Sequence, residues 1–172
     1  MLPRVETHMR RVLQLHVFLR QSADLLMDKE VPVSPELLSG EEVFEGPHHI
    51  HSKLTQAQAL YATVRSELEQ VHALGAQVKD IEKGLVDFYS YKDGVEEVLL
   101  CWRIGESRIK HYHGSSKGFA GRQPVQGHVF VGIRNNWTNA TYNRYFGSFF
   151  LKNRQNCLFF SIIIATIVIL AK

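Results

Sequence analysis

Five side chains in one stretch of this 172-residue chain are of types that could do chemistry together: Asp87, Cys101, His111, His113 and Arg122. Asp87 interrupts the apolar run Leu85-Val86-Asp87-Phe88, and a carboxylate buried among apolar side chains must be paired or hydrogen-bonded. Arg122 is the expected partner, because a guanidinium meets a carboxylate with two parallel hydrogen bonds. Such a pair either fixes the fold or acts as an anion clamp, with Arg122 helped by backbone N–H groups around Gly118 and Gly121. These glycines do not follow the strand-to-helix spacing of a nucleotide phosphate loop.

Cys101 would need a neighbouring base to serve as a nucleophile. His113 can be that base if the two strands are neighbours, so His113, Asp87 and Cys101 are the catalytic candidates. The opposing reading is an inert buried thiol. Metal-ligand candidates are His48, His49 and His51, spaced HH-x-H, together with His111 and His113. The first three have no Cys or carboxylate at ligand spacing and read more simply as part of a solvated loop. Trp102, Tyr112 and Phe119, with Lys110, Lys117 and Arg122, could also stack on and neutralise a single-stranded nucleic acid; the alternative is packing on the sheet.

Strands must position these groups. Residues 77–81 alternate polar and apolar, 85–89 form a second run and 97–104 a third with an apolar centre, while 109–113 alternate again. Alternation predicts half-buried strands, with His111 and His113 on one face and Tyr112 on the other. Gly84 and Gly105-Glu106 separate the runs, and Asp93-Gly94 is a strong hairpin signal. The simplest arrangement is a small antiparallel meander, which needs a covering layer.

The first half of the chain supplies that cover. Leu2, Val5, Met9, Val12, His16, Leu19, Ala23 and Leu26 alternate spacings of three and four, as a helix lying along another helix requires. Leu54, Ala57, Tyr61, Val64, Leu68 and Val71 repeat the pattern. Ser52 or Thr55 is the expected start cap of this second helix, and Gly75 suits its stop. The two seams predict an antiparallel, coiled-coil-like hairpin or pairing between two copies. Residues 28–52, punctuated by Pro32, Pro35, Gly40, Gly46 and Pro47, read as a long loop.

The motifs GAQVKDIEKGLVDF, VLLCWRIGE and GFAGRQP, in this order, resemble those of domain-of-unknown-function family 2203. The matching positions include Leu2-Pro3-x-Val5, Val78-Lys79-Asp80, Gly84 to Phe88, Leu100-Cys101-Trp102, Gly105-Glu106, Tyr112-His113 and Gly118 to Pro124. The resemblance covers about residues 1–125 and implies a fold without an activity. It also implies a start upstream of Met1, because family members begin before the Leu-Pro segment. Between the His and GFAGR the family carries acidic residues; here the segment is Gly114-Ser115-Ser116-Lys117, so a His-carboxylate pair drawn from that segment is lost.

Composition is near the globular average, with 45% hydrophobic and 22% charged residues. The net charge of +3 conceals a split. Residues 1–106 carry eleven Lys and Arg against seventeen Asp and Glu, whereas residues 107–172 carry nine Lys and Arg and no acid. Such asymmetry marks a nucleic-acid or membrane-facing end, or a tail of unusual composition. Two cysteines, Cys101 and Cys157, without CxxC spacing imply no disulfide framework and a reducing compartment. The opening MLPRVETHMRR lacks the apolar region of a secretory signal.

Residues 126–157 read as a polar, basic linker. Leu158 to Ala171 follow without a charge. That run is short of the roughly 20 residues of a spanning helix, and the basic flank at Lys152 and Arg154 would stay cytoplasmic. The segment is either a short membrane anchor or a stretch not native to the domain, such as a translated intron or a frameshifted end.

The sequence thus predicts an α+β domain over residues 1–125, with a helical hairpin packed on a small antiparallel sheet, followed by the linker and the apolar segment. The leading functional expectation is a non-enzymatic interaction module that self-associates through the hairpin. The alternatives are a small enzyme or anion- or metal-binding protein using a His/Asp/Arg face of the sheet, and an RNA-binding module in the basic half. No cofactor is specified. The expected location is cytoplasmic, or cytoplasmic-facing at a membrane if residues 158–171 anchor the chain.

Overall fold

The computed structural model describes residues 1–132. The expectations placed on most of the 126–157 linker and on the apolar segment 158–171 lie outside the described residues. Among the described residues, no helix is long and apolar enough to cross a membrane.

Helix α1 spans Leu2–Met27 and α3 spans His48–Ala73. Every seam residue of the first helix except the half-buried Leu2 is buried, and every seam residue of the second is buried. The two helices lie side by side. Near the start of α1, His8 Nδ1 lies 2.6 Å from Glu67 and Arg11 donates to the same carboxylate at 3.3 Å. Glu67 is near the end of α3, so the helices run antiparallel. The seams therefore spend their apolar surface on each other within one chain. On α1, Val17, Phe18 and Leu25 remain exposed.

The helix ends differ from the sequence reading. α3 begins at His48, not near Ser52; its N-cap is Pro47, without a side-chain hydrogen bond. Thr55 does not cap it either, since its hydroxyl donates back to the His51 carbonyl. Its end is as expected: Gly75, at φ 78°, donates to the His72 carbonyl at 2.8 Å. The segment read as one long loop contains helix α2, Pro35–Ser39. Ser34 caps it by accepting the Leu37 N–H at 3.0 Å, Pro35 occupies its first turn, and Gly40 closes it in the left-handed region. These are the residues such positions favour. Leu37 and Leu38 are buried, and Gln58 of α3 donates to the Leu37 carbonyl at 2.8 Å.

The sheet is six-stranded and antiparallel, comprising β1 Ala76–Asp80, β2 Leu85–Lys92, β3 Glu96–Arg103, β4 His111–Gly114, β5 Gln123–Pro124 and β6 Phe130–Val131. The first four strands form the expected meander. β5 extends it beside β4, and β6 pairs with the end of β2, beyond the residues that pair with β1. Asp93 and Gly94 both have positive φ in the β2–β3 turn. Asp93 also anchors the chain before β6, accepting the Val129 N–H at 3.0 Å and pairing with His128.

Register divides the sheet into two faces. Ala76, Val78, Val86, Phe88, Val98, Trp102 and Tyr112 share one face, all of them buried. Gln77, Asp87, Cys101 and His111 form a transverse row on the other. The β1–β2 turn reaches α1, where Arg20 donates to Glu82 at 3.4 Å.

His16 sits on the buried seam beside this turn. Burial lowers its pKa below 6.5; the Glu82 carboxylate pulls it back up and Arg20 adds to the lowering. Below the unfolded pKa the unfolded chain takes the proton more readily, so this contribution is full above about pH 6.5 and falls as the pH drops below it. His72 is shifted in the same direction by burial. Acidification from about pH 7 to about pH 5 is therefore expected to reduce stability, and His16→Leu to reduce that loss. Urea unfolding at both pH values tests this; an identical loss in the variant would discount His16.

Candidate metal centre

Strand β2 carries Asp87 into the interior because its neighbours in sequence, Val86 and Phe88, point to the apolar face. The same alternation in β3 sets Cys101 directly across from Asp87, and β4 sets His111 across from Cys101. His113 lies opposite Leu99, one pleat along on the same face, and its ring reaches Asp87. Asp87, Cys101 and His113 are 4%, 1% and 3% exposed, respectively. Among the described residues they are the one group of three metal-type side chains whose donor atoms converge, all within 4.8 Å of one another.

The hydrogen bonds around His113 constrain its tautomer. Nδ1 lies 2.7 Å from the Gly114 carbonyl oxygen. A carbonyl only accepts, so Nδ1 carries a hydrogen and the neutral ring presents a lone pair at Nε2. That lone pair faces Asp87 Oδ2 at 3.3 Å. Two electron-rich atoms at this distance call for a cation between them, either a proton or a metal ion. Tetrahedral zinc, with bonds of about 2.0–2.1 Å to nitrogen and oxygen, holds such donors roughly 3.3–3.4 Å apart. A backbone carbonyl on the far nitrogen is also the usual support of a metal-bound imidazole.

Cys101 donates only weakly, to the Leu99 carbonyl at 3.8 Å. Burial first, then the neighbouring Asp87 carboxylate, push its thiol far above the usual range, while the Arg122 guanidinium pulls the other way. A protonated thiol is a poor nucleophile, which argues against the Cys–His catalytic pairing. A bound metal ion reverses that balance, because coordination deprotonates a thiol outright. Lys79 Nζ lies 4.0 Å from Asp87 Oδ2. Burial lowers the Lys79 pKa against the pull of Asp87.

The structure rearranges several expected roles. Asp87 pairs with His113 and Lys79 rather than with Arg122. The guanidinium of Arg122 instead stacks on Phe119, with Cζ 3.5 Å from the ring centre. Its Nη1 is shielded from solvent and makes no hydrogen bond, as is His111 Nδ1. The Gly121 N–H is spent within its own 3₁₀ turn, on the Gly118 carbonyl at 3.1 Å. His48, His49 and His51 occupy the exposed first turn of α3, where His51 Nε2 contacts the Gly46 carbonyl at 3.1 Å. The carboxylate missing from residues 114–117 is supplied to His113 by β2. The sequence reading did not single out Lys79 or Gln77. Gln77 aligns with Asp87 only once β1 and β2 are in register.

A family model described as an uncharacterized conserved protein, DUF2203, matches residues 1–125. No curated protein matches the chain, and no solved structure matches it.

Proposed function

Because the chain belongs to the DUF2203 family, whose description carries no activity, we propose a function from its chemistry: the protein binds one divalent transition-metal ion through Asp87, Cys101 and His113. The observation that carries this reading is the convergence of three buried donors, with the ligand atoms of Asp87, Cys101 and His113 within 4.8 Å of one another, His113 Nε2 3.3 Å from Asp87 Oδ2 and Nδ1 committed to the Gly114 carbonyl. One thiolate, one imidazole and one carboxylate form a borderline-soft donor set that suits zinc. Three protein donors leave a tetrahedral ion one position for an outside ligand, the pattern of catalytic rather than structural zinc. The helical pair, with α3 running into β1, is then the scaffold of the site. Self-association through the seams has less to recommend it, since their residues pack within the chain.

Cobalt(II) substitution tests the reading. Full-length protein stripped by a chelator is expected to take up one equivalent of cobalt with a thiolate-to-metal charge-transfer band. Cys101→Ser should abolish the band, and Cys157→Ser should retain it. Cobalt bound without that band, as the exposed His48–His51 group would bind it, would overturn the assignment.

A further inference from the structure

Two shielded nitrogens lie on the β4–β5 side of this centre. His111 is directly across from Cys101, and its Nδ1 has no hydrogen-bond partner. Arg122 precedes β5, whose register sets Gln123 against Tyr112 and Pro124 against His111. Continued by one residue, that register places Arg122 beside His113. Its Nη1 is likewise shielded and unpaired, and its plane is held by Phe119. A shielded donor left without an acceptor costs roughly 1–3 kcal/mol, more when charged; Arg122 Nη1 is a donor in every state and His111 Nδ1 is one in the tautomer that places its hydrogen there, so the pair suits a ligand that accepts. The Arg122 charge also reaches the Cys101 thiol, so the guanidinium and the convergent donors share one electrostatic neighbourhood.

We propose that the outside ligand of the centre is a small oxyanion, a carboxylate or phosphate group, bound by Arg122 and His111 with one oxygen on the metal ion. This inference rests on the metal reading above. Arginine suits the role because its fork matches the oxygens of either group in a bidentate manner, while the metal supplies the remaining positive charge. Lys79 is left out of the clamp because its Nζ already faces Asp87 Oδ2, at 4.0 Å. The Gly121 N–H is also outside it, being already used. The ligand class is therefore an anion that coordinates metal through oxygen, as the carboxylate or phosphoryl end of a small substrate does.

The test uses cobalt-loaded full-length protein, titrated separately with inorganic phosphate and with acetate while the visible cobalt bands are recorded. Saturable band shifts are expected with at least one anion, and the anion that binds identifies the class. Arg122→Ala should weaken that binding by at least about tenfold, the worth of a hydrogen bond to a charged group. Arg122→Lys, which keeps the charge but loses the fork, should also weaken it and serves if the alanine variant fails to fold. An intact thiolate-to-cobalt band with spectra indifferent to both anions, or with equal affinity in the Arg122 variants, would overturn the oxyanion and leave the metal reading standing. Absence of the thiolate band would remove the metal reading and the oxyanion with it.

Discussion

Asp87→Asn is expected to lower metal affinity by more than about 100-fold, beyond the loss typical of a supporting partner, while leaving the metal-free protein as stable as before or more so. The two effects have one cause. With the neutral ring hydrogen on Nδ1, the His113 Nε2 lone pair would face a carboxylate oxygen at 3.3 Å, an arrangement that suits a bound cation. An asparagine amide can donate a hydrogen to that lone pair, satisfying both groups, and removes a buried charge from the interior. A simple structural ion pair predicts the opposite sign. If Asp87 existed to hold a protonated His113, neutralising it would strand a buried imidazolium and cost about 3–5 kcal/mol. Urea unfolding of chelator-treated wild type and variant separates the cases by the direction of the midpoint shift. A large destabilisation of metal-free Asp87→Asn would make the cluster a fold-fixing device and end the metal reading.

That experiment also bears on how Asp87 was legible. A carboxylate inside Leu85-Val86-Asp87-Phe88 announces that it needs a partner, and this follows from local sequence alone. Naming the partner requires the register of β2, β3 and β4, which brings together residues 26 positions apart along the chain. Arg122 was the natural expectation by charge, yet the pleat carries His113 over Cys101 to the carboxylate. The helical seams were readable to the residue, because a repeat of three and four is a local property and burial follows from it. Short elements divide the same way. Helix α2 had every local signal, with Ser34, Pro35 and Gly40 in place, and was hidden by the reading of prolines and glycines as loop. Strands β5 and β6 are two residues each and exist only through pairing with distant segments, so no periodicity could expose them. The start of α3 was missed because Pro47 offers no side-chain cap.

The apolar face of the sheet sets the second large effect. Trp102 is fully excluded from solvent, and its Nε1 donates to the Glu106 carbonyl at 2.7 Å. Glu106 in turn accepts the Arg103 N–H at 3.0 Å, closing the turn after β3. Trp102→Ala removes the largest buried side chain, leaves a cavity and strands an acceptor, so a loss of about 3–5 kcal/mol is expected. Against a total of about 5–15 kcal/mol for a domain of this kind, that is enough to populate the unfolded chain on modest warming. Trp102→Phe keeps most of the volume and should lose less, its remaining cost including the unmet Glu106 carbonyl. Because Trp102 adjoins Cys101 but points to the opposite face, the two sites are linked through folding rather than contact. Zinc that binds the folded chain alone should therefore recover about 2.7 kcal/mol of the Trp102→Ala loss at a free concentration 100 times its dissociation constant. Thermal unfolding with and without zinc measures both quantities. An unchanged melting temperature in Trp102→Ala would mean that the β3 core is not what holds the sheet together. A normal loss with no recovery by zinc would mean that the polar face does not bind the ion.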